Sequence, residues 1–313
     1  MPNKPIFFPL SPHLLLTLNF NSMKTIYKYI LFSIFGLLFL NSCTERIDVK
    51  LDETFTRLIV EGNLTTDTTE HLFYLSKTSD YFANQAAPKV NGALVSITDD
   101  LGNKTQLTEK ESGIYATPAD FAGQVNTKYE LQIDLEEEIG GFSRYEASSI
   151  LPNVNPIDSI GIEFNERFGE DGFWIIKLYA TDPGGVENYY QFKAYRNGIL
   201  MTDTLDKVSY VDDKLFDGNF TFGIGVLYFN NSYENQQFNI GDTVTLEMGG
   251  ITKEHFTFMS NVSEATSFQN PLFGGPPANV IGNLDNGAFG YFSTYSTTYS
   301  SIILSEDNII ISD

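Results

Sequence analysis

The 313-residue chain has one cysteine, Cys43, one tryptophan and three histidines. With a single cysteine no internal disulfide can form, so stability must come from packed apolar cores. The histidines, His13, His71 and His255, show no His-Glu-x-x-His spacing, and neither a P-loop nor a Gly-x-Ser-x-Gly elbow occurs. His71 and His255 therefore read as packed or surface residues, without a partner motif that would make them catalysts. Basic residues are scarce as well, 19 Lys and Arg against 40 Asp and Glu. That imbalance argues against nucleic acid and anionic lipid surfaces as partners, because both would be repelled. Long helical periodicities are nearly absent. In their place 26 Phe and 17 Tyr, punctuated by Gly and Asn, give an all-β composition.

What is present is organised around Met23 to Cys43. Lys24 and Lys28 precede an apolar run from Ile30 to Leu40, and Leu40-Asn41-Ser42-Cys43 follows, a secretory-signal pattern with cysteine at the cleavage point. The apolar core of roughly eleven residues falls short of the about 20 that a membrane-spanning helix needs. The stretch resembles a bacterial lipoprotein signal, in which a peptidase cuts before the cysteine and its thiol carries diacylglycerol. On that reading residues 23–42 are the signal peptide and Cys43 is the lipid attachment site. Asn41 departs from the commonest such signals. Residues 1–22 read as an upstream extension with no part in the fold. Removing residues 1–42 leaves 16 basic against 40 acidic residues, which fits a solvated extracytoplasmic surface. Residues 43–56 then serve as a polar tether; about ten extended residues reach roughly 33 Å.

From residue 57 to 150 the pattern predicts a small β-sandwich of immunoglobulin type with about seven strands. Leu58-Ile59-Val60 and Leu72 to Ser76 are short apolar runs, Asp99 to Asn103 is a turn, and Gly140-Gly141 closes a hairpin between alternating segments. Residues 151–156, with two prolines and two asparagines, form an extended linker. Residues 157–313 predict a larger β-sandwich or barrel domain. There Tyr190, Phe192 and Ala194 alternate with Tyr189, Gln191, Lys193 and Tyr195, and Asn197-Gly198 signals a type I′ hairpin. One helix is expected near 252–268, capped by Thr252, with Phe256, Met259 and Val262 on one stripe. Ile309-Ile310-Ile311 would aggregate unpaired and reads as an edge strand.

Candidate sites are few. Asp99-Asp100 with Asn103, and Asp212-Asp213 with Asp217, are oxygen-rich loops, but neither has the spaced Asp-x-Asp-x-Asp-Gly pattern of a calcium loop, so each reads as an ordinary Asx turn ahead of a metal site. No metal or other cofactor is assigned. Glu136-Glu137-Glu138 belongs to a solvated hairpin. The Gly- and Pro-rich loop Asn270 to Asn286 is either a binding surface or a turn packed on the helix, with Phe273 and Tyr291 as candidate contacts for a ligand or partner. No catalytic constellation emerges, which points away from an enzyme.

Several short motifs recur together: Leu58-Ile59-Val60-Glu61-Gly62, Gly113-Ile114-Tyr115, Tyr129-Glu130-Leu131, Asn188-Tyr189-Tyr190, Tyr195-Arg196-Asn197-Gly198, Asp217-Gly218 and Phe268-Gln269-Asn270-Pro271. On these the chain resembles the Bacteroidota outer-membrane lipoproteins of the domain-of-unknown-function family numbered 4249. The resemblance implies an outer-membrane location, on the periplasmic or the cell-surface face, beside a TonB-dependent barrel that takes up a nutrient. The expected function is that of a lipid-anchored binding protein accessory to such a barrel. A structural or adhesive surface lipoprotein is the alternative.

Overall fold

The computed structural model describes residues 27–31, 56–79, 86–167, 169–267 and 280–312. The chain divides into two compact units, Met1–Glu53 and Thr54–Asp313. In the first, residues 27–31 are helical and exposed. Residues 1–22, Cys43, the tether up to residue 55 and Phe273 lie outside the described residues.

The second unit is built of strands in three sheets. A nine-stranded sheet takes β1 (Leu58–Thr65), β2 (Leu72–Lys77), β5 (Thr108–Glu111) and β6 (Ile114–Ala116) from the first half of the chain. It takes β11 (Tyr189–Arg196), β12 (Ile199–Leu200), β13 (Ser209–Asp212), β15 (Thr243–Ile251) and β16 (Phe289–Ile303) from the second. Two four-stranded sheets accompany it. One runs β4 (Lys104–Gln106), β3 (Leu94–Asp99), β7 (Lys128–Ile139), β8 (Phe142–Ile150). The other runs β14 (Ile224–Asn230), β10 (Phe173–Tyr179), β9 (Ser159–Asn165), β17 (Ile309–Ser312).

Two large apolar cores result among the described residues, beside a small third cluster of Tyr189, Ile251 and Tyr295. Leu58, Val60, Phe73, Ile97, Leu131 and Tyr145 cluster in the first, and Ile162, Ile176, Phe192, Leu246 and Phe229 in the second. The contributions pass from Leu151, in the first core, to Ile157, in the second, across a connection with no strand. Both cores are sandwiches with open sheet edges, so of the two architectures expected for the second region, sandwich and barrel, the chain adopts the sandwich. Among the described residues the first half holds eight strands, against the about seven expected.

The joining element is β16. Its first half runs parallel to β1, Ile59 opposite Phe289 through Thr65 opposite Tyr295, and its second half runs antiparallel to β15. Phe292 and Ala288 enter the first core, although they lie far beyond residue 150. Sequence patterning places this closing strand wholly in the second region; the ladder to β1 puts half of it in the first. Close approach there depends on Gly290, which sits at φ +93° and whose Cβ would fall 1.8 Å from the Val60 carbonyl oxygen.

Local signals hold well. Asn197 and Gly198 both adopt positive φ, 53° and 79°, as a type I′ turn requires, and join β11 to β12. Gly140 and Gly141 do the same between β7 and β8. β17 pairs with β9 in parallel and ends that sheet, which gives Ile309 to Ile311 their partner.

Candidate functional site

Both cores lie against one face of the long sheet, the face to which Phe292, Phe192 and Leu246 point. The opposite face carries Tyr189, Gln191, Lys193 and Tyr195 of β11, Glu247 of β15 and Tyr291, Ser293 and Tyr295 of β16, because side chains alternate along each strand. Helix α1 (Lys253–Thr266) packs on part of it. Its first turn is fixed by Thr252, whose hydroxyl accepts the His255 N–H at 3.1 Å. Its buried residues are His255 and Met259, with Phe256 packed 5.1 Å from the Tyr189 ring.

Beneath the helix the chemistry is polar. The Lys193 ammonium lies 3.2 Å from Glu247 Oε1 and 2.9 Å from the Tyr295 hydroxyl, and Tyr195 donates to Glu247 Oε2 at 2.5 Å. Burial opposes the charge on Lys193, but Tyr295 and Glu247 overcome it and hold the ammonium protonated well above its usual range. Burial, followed by the bond to Glu247, raises the Tyr195 phenol. Gln191 is buried with its amide nitrogen unpartnered, over Gly249. Next to this group, His255 Nδ1 is 2.8 Å from Ser293 Oγ, and its ring stacks on Tyr291 at 5.1 Å and 17°. Burial, then the Lys193 charge, depresses this imidazole to about 4, so it is neutral at ordinary pH.

A second constellation lies in the connections before β11 and after β13. Asp182, Asp213 and Asp217 bring one carboxylate oxygen each within 4.8 Å of one another. Tyr190 donates to Asp182 at 2.5 Å, the Asn188 N–H to Asp213 at 2.6 Å and the Gly185 N–H to Asp217 at 2.8 Å. Burial raises the Asp182 carboxyl, and the nearby Asp213 and Asp217 charges add to the rise. All-oxygen donors of this kind are what a hard cation such as Ca²⁺ requires, yet these three donors and the Gly218 N–H, 3.2 Å from Asp182, already satisfy part of the same need. Sequence reading grouped Asp212 with Asp213 and Asp217. The fold instead pairs Asp212 with Lys214 at 2.5 Å and brings in Asp182 from the connection between β10 and β11.

Asp99, Tyr291 and His71, also named from the sequence, have structural partners. Asp99 accepts the Leu101 and Asn103 N–H groups at 3.0 and 2.8 Å and the Asn103 side chain at 2.8 Å, an Asx turn. Tyr291 is 9% exposed, its ring held against His255 and Phe258, so it anchors the helix rather than offering an open contact surface. His71 is buried and accepts the Thr65 N–H at its Nδ1. The described end of the 270–286 loop is structural too. Asn283 donates to the Phe292 carbonyl at 2.7 Å and accepts the Phe292 N–H at 2.9 Å, completing the free edge of β16 with a side-chain amide. Sequence reasoning missed this role, since an Asn among glycines reads as a turn.

Fold and site together define an all-β protein of two sandwiches on a shared sheet, with buried polar clusters and, among the described residues, no helix long and apolar enough to cross a membrane. The chain belongs to the family described as Domain of unknown function (DUF4249), whose model matches residues 44–301. No curated protein matches it. Among solved structures it is similar to a DUF4785 family protein from Legionella pneumophila subsp. pneumophila str. Philadelphia 1, at 13% identity and a TM-score of 0.26. That match covers 64% of this chain and 54% of the other, so it spans about half the length of that relative, and at that score it carries no argument.

Proposed function

We propose that this protein is a lipid-anchored outer-membrane binding protein, the accessory subunit of a TonB-dependent nutrient uptake system. The stretch from Met23 to Cys43 carries the reading, a signal-like segment that ends on the chain's sole cysteine. Support comes from the family match, which begins at residue 44, one position past that cysteine. The excess of acidic residues suits a surface in contact with water, and the resemblance to outer-membrane lipoproteins suggests the barrel as partner. Cys43 would hold the protein on the leaflet, the first sandwich would act as spacer or docking module, and the second would face ligand or barrel. It acts by binding rather than by catalysis.

Affinity purification of the tagged protein from native outer membranes in mild detergent tests the reading. One TonB-dependent barrel in near-equal amount is the expected result. Recovery of the protein alone at several salt concentrations would refute the transporter role and favour a structural or adhesive lipoprotein. A Cys43→Ser variant should lose the diacylglycerol mass and leave the membrane fraction; a variant that stays membrane-bound would remove the anchor from the account.

A further inference from the structure

A cleft of about 490 Å³ opens where the connection after β8, the loop before β11 and the start of α1 meet. Its volume falls in the range of about 300–1,000 Å³ common to small-molecule sites. The walls are largely apolar, with Ile150, Pro152, Pro183, Val186, Tyr189 and Ile251 among them. Ile150 and Val186 are 56% and 60% exposed, so apolar surface there is open to water.

Charge in the cleft is already paired. Lys253 Nζ lies 2.8 Å from Glu187 Oε2, and Tyr189 donates to the same carboxylate oxygen at 3.0 Å. The two side chains are 62% and 69% exposed, and an ion pair that open contributes little stability, so a ligand that replaces both charges can part them at small cost. Beside Glu187, the buried amide oxygen of Asn188 has no hydrogen-bond donor. Lys253 is also the first residue of α1, where the helix dipole places partial positive charge. The cleft thus combines acceptors on one loop, a cation on a helix terminus and aliphatic walls.

We propose that this cleft binds a small zwitterion with an apolar side chain, of the amino-acid class. The ammonium meets Glu187, the carboxylate meets Lys253, and the side chain covers Ile150 and Val186. A neutral sugar supplies neither charge, and a fatty acid would leave Glu187 facing a carboxylate. The assignment rests on the binding reading above and names its ligand class.

Isothermal titration calorimetry of the purified protein with L-leucine, N-acetyl-leucinamide and glucose tests it. L-leucine is expected to give saturable binding that the uncharged leucinamide and glucose lack. Glu187→Gln and Lys253→Gln should each weaken leucine binding by roughly tenfold or more, the cost of a lost charged hydrogen bond, with an unchanged circular dichroism spectrum. No leucine binding, equal binding of leucine and its uncharged analogue, or folded variants with unaltered affinity would each overturn the assignment. Barrel recovery without leucine binding would sink the ligand class alone. Leucine binding by a protein that purifies without a barrel would leave the site standing and sink the transporter role.

Discussion

His255 offers the sharpest test of how the helix is held on the sheet. Its imidazole is neutral, bonded to Ser293, stacked on Tyr291 and near the Lys193 ammonium, with Tyr210 edge-on at 6.1 Å. Its folded pKa of about 4 lies below the unfolded value of 6.5, so between these limits the unfolded chain binds more protons. Stability contributed by His255 is therefore present above about pH 6.5 and is lost as pH falls toward 4. Between about pH 7 and pH 5 the unfolded state takes up nearly one proton that the folded state refuses, a loss of about 2 kcal/mol from the free-energy scale of about 1.4 kcal/mol per pK unit.

Substituting His255→Phe keeps a ring against Tyr291 and removes the titration. At neutral pH it should cost about 1–2 kcal/mol, because Ser293 Oγ loses its partner. At about pH 5 that deficit should vanish or reverse, since only the wild type has lost the 2 kcal/mol. Urea unfolding followed by Trp174, the single and largely buried tryptophan, reads both values. A wild-type-to-variant gap that stays constant across this pH range would refute the argument, as would an imidazole NMR titration with its midpoint near 6.5.

Three further perturbations probe the joints of the fold. Gly290→Ala drives a methyl into the Val60 carbonyl and forces alanine to positive φ, so it should destabilise by more than about 3 kcal/mol and leave little soluble protein, measured by expression and thermal unfolding. Asn283→Ala removes the two bonds to Phe292 and a third to the Ser148 carbonyl, and chemical denaturation should show a loss of about 2–3 kcal/mol. Asp182→Asn behaves differently. The folded carboxyl pKa is raised, so its ionisation weakens the fold as pH rises through that value, and the neutral amide should flatten the stability profile above about pH 4 without large cost; a steeper profile in the variant would contradict the assigned burial.

Short-range chemistry was legible because it is carried by neighbours in sequence. Asn197-Gly198, Gly140-Gly141 and the Thr252 cap are turn and capping signals that need only a few residues to state. The alternation of Tyr189, Gln191, Lys193 and Tyr195 with Tyr190, Phe192 and Ala194 likewise marks β11 as a strand with large side chains on both faces. It could not show that the second face meets a helix through Tyr189, or that it buries Glu247. Asp182 escaped notice for the same reason: its carboxylate joins Asp213 and Asp217 only after β10 has brought its loop beside theirs. Pairing between β1 and β16 was the least legible of all. Both strands look like ordinary strands of their own regions, and nothing local distinguishes an edge that closes on a neighbour from one that closes on a strand about 230 residues away.

That distant pairing governs how the molecule must assemble. The first core contains Phe292, fully buried, and Ala288, so residues 58–150 present an open sheet edge and an incomplete core until the end of the chain arrives. Closing a loop of that length has an entropic cost that grows only slowly with its length, but it must be met before the contacts form, which delays folding. β16 also holds the second sandwich through β15, so the two cores share one continuous ladder from β5 to β12. Disruption at Gly290 or Asn283 should therefore be felt in both cores. Trp174, which reports on the second, should register damage done in the first.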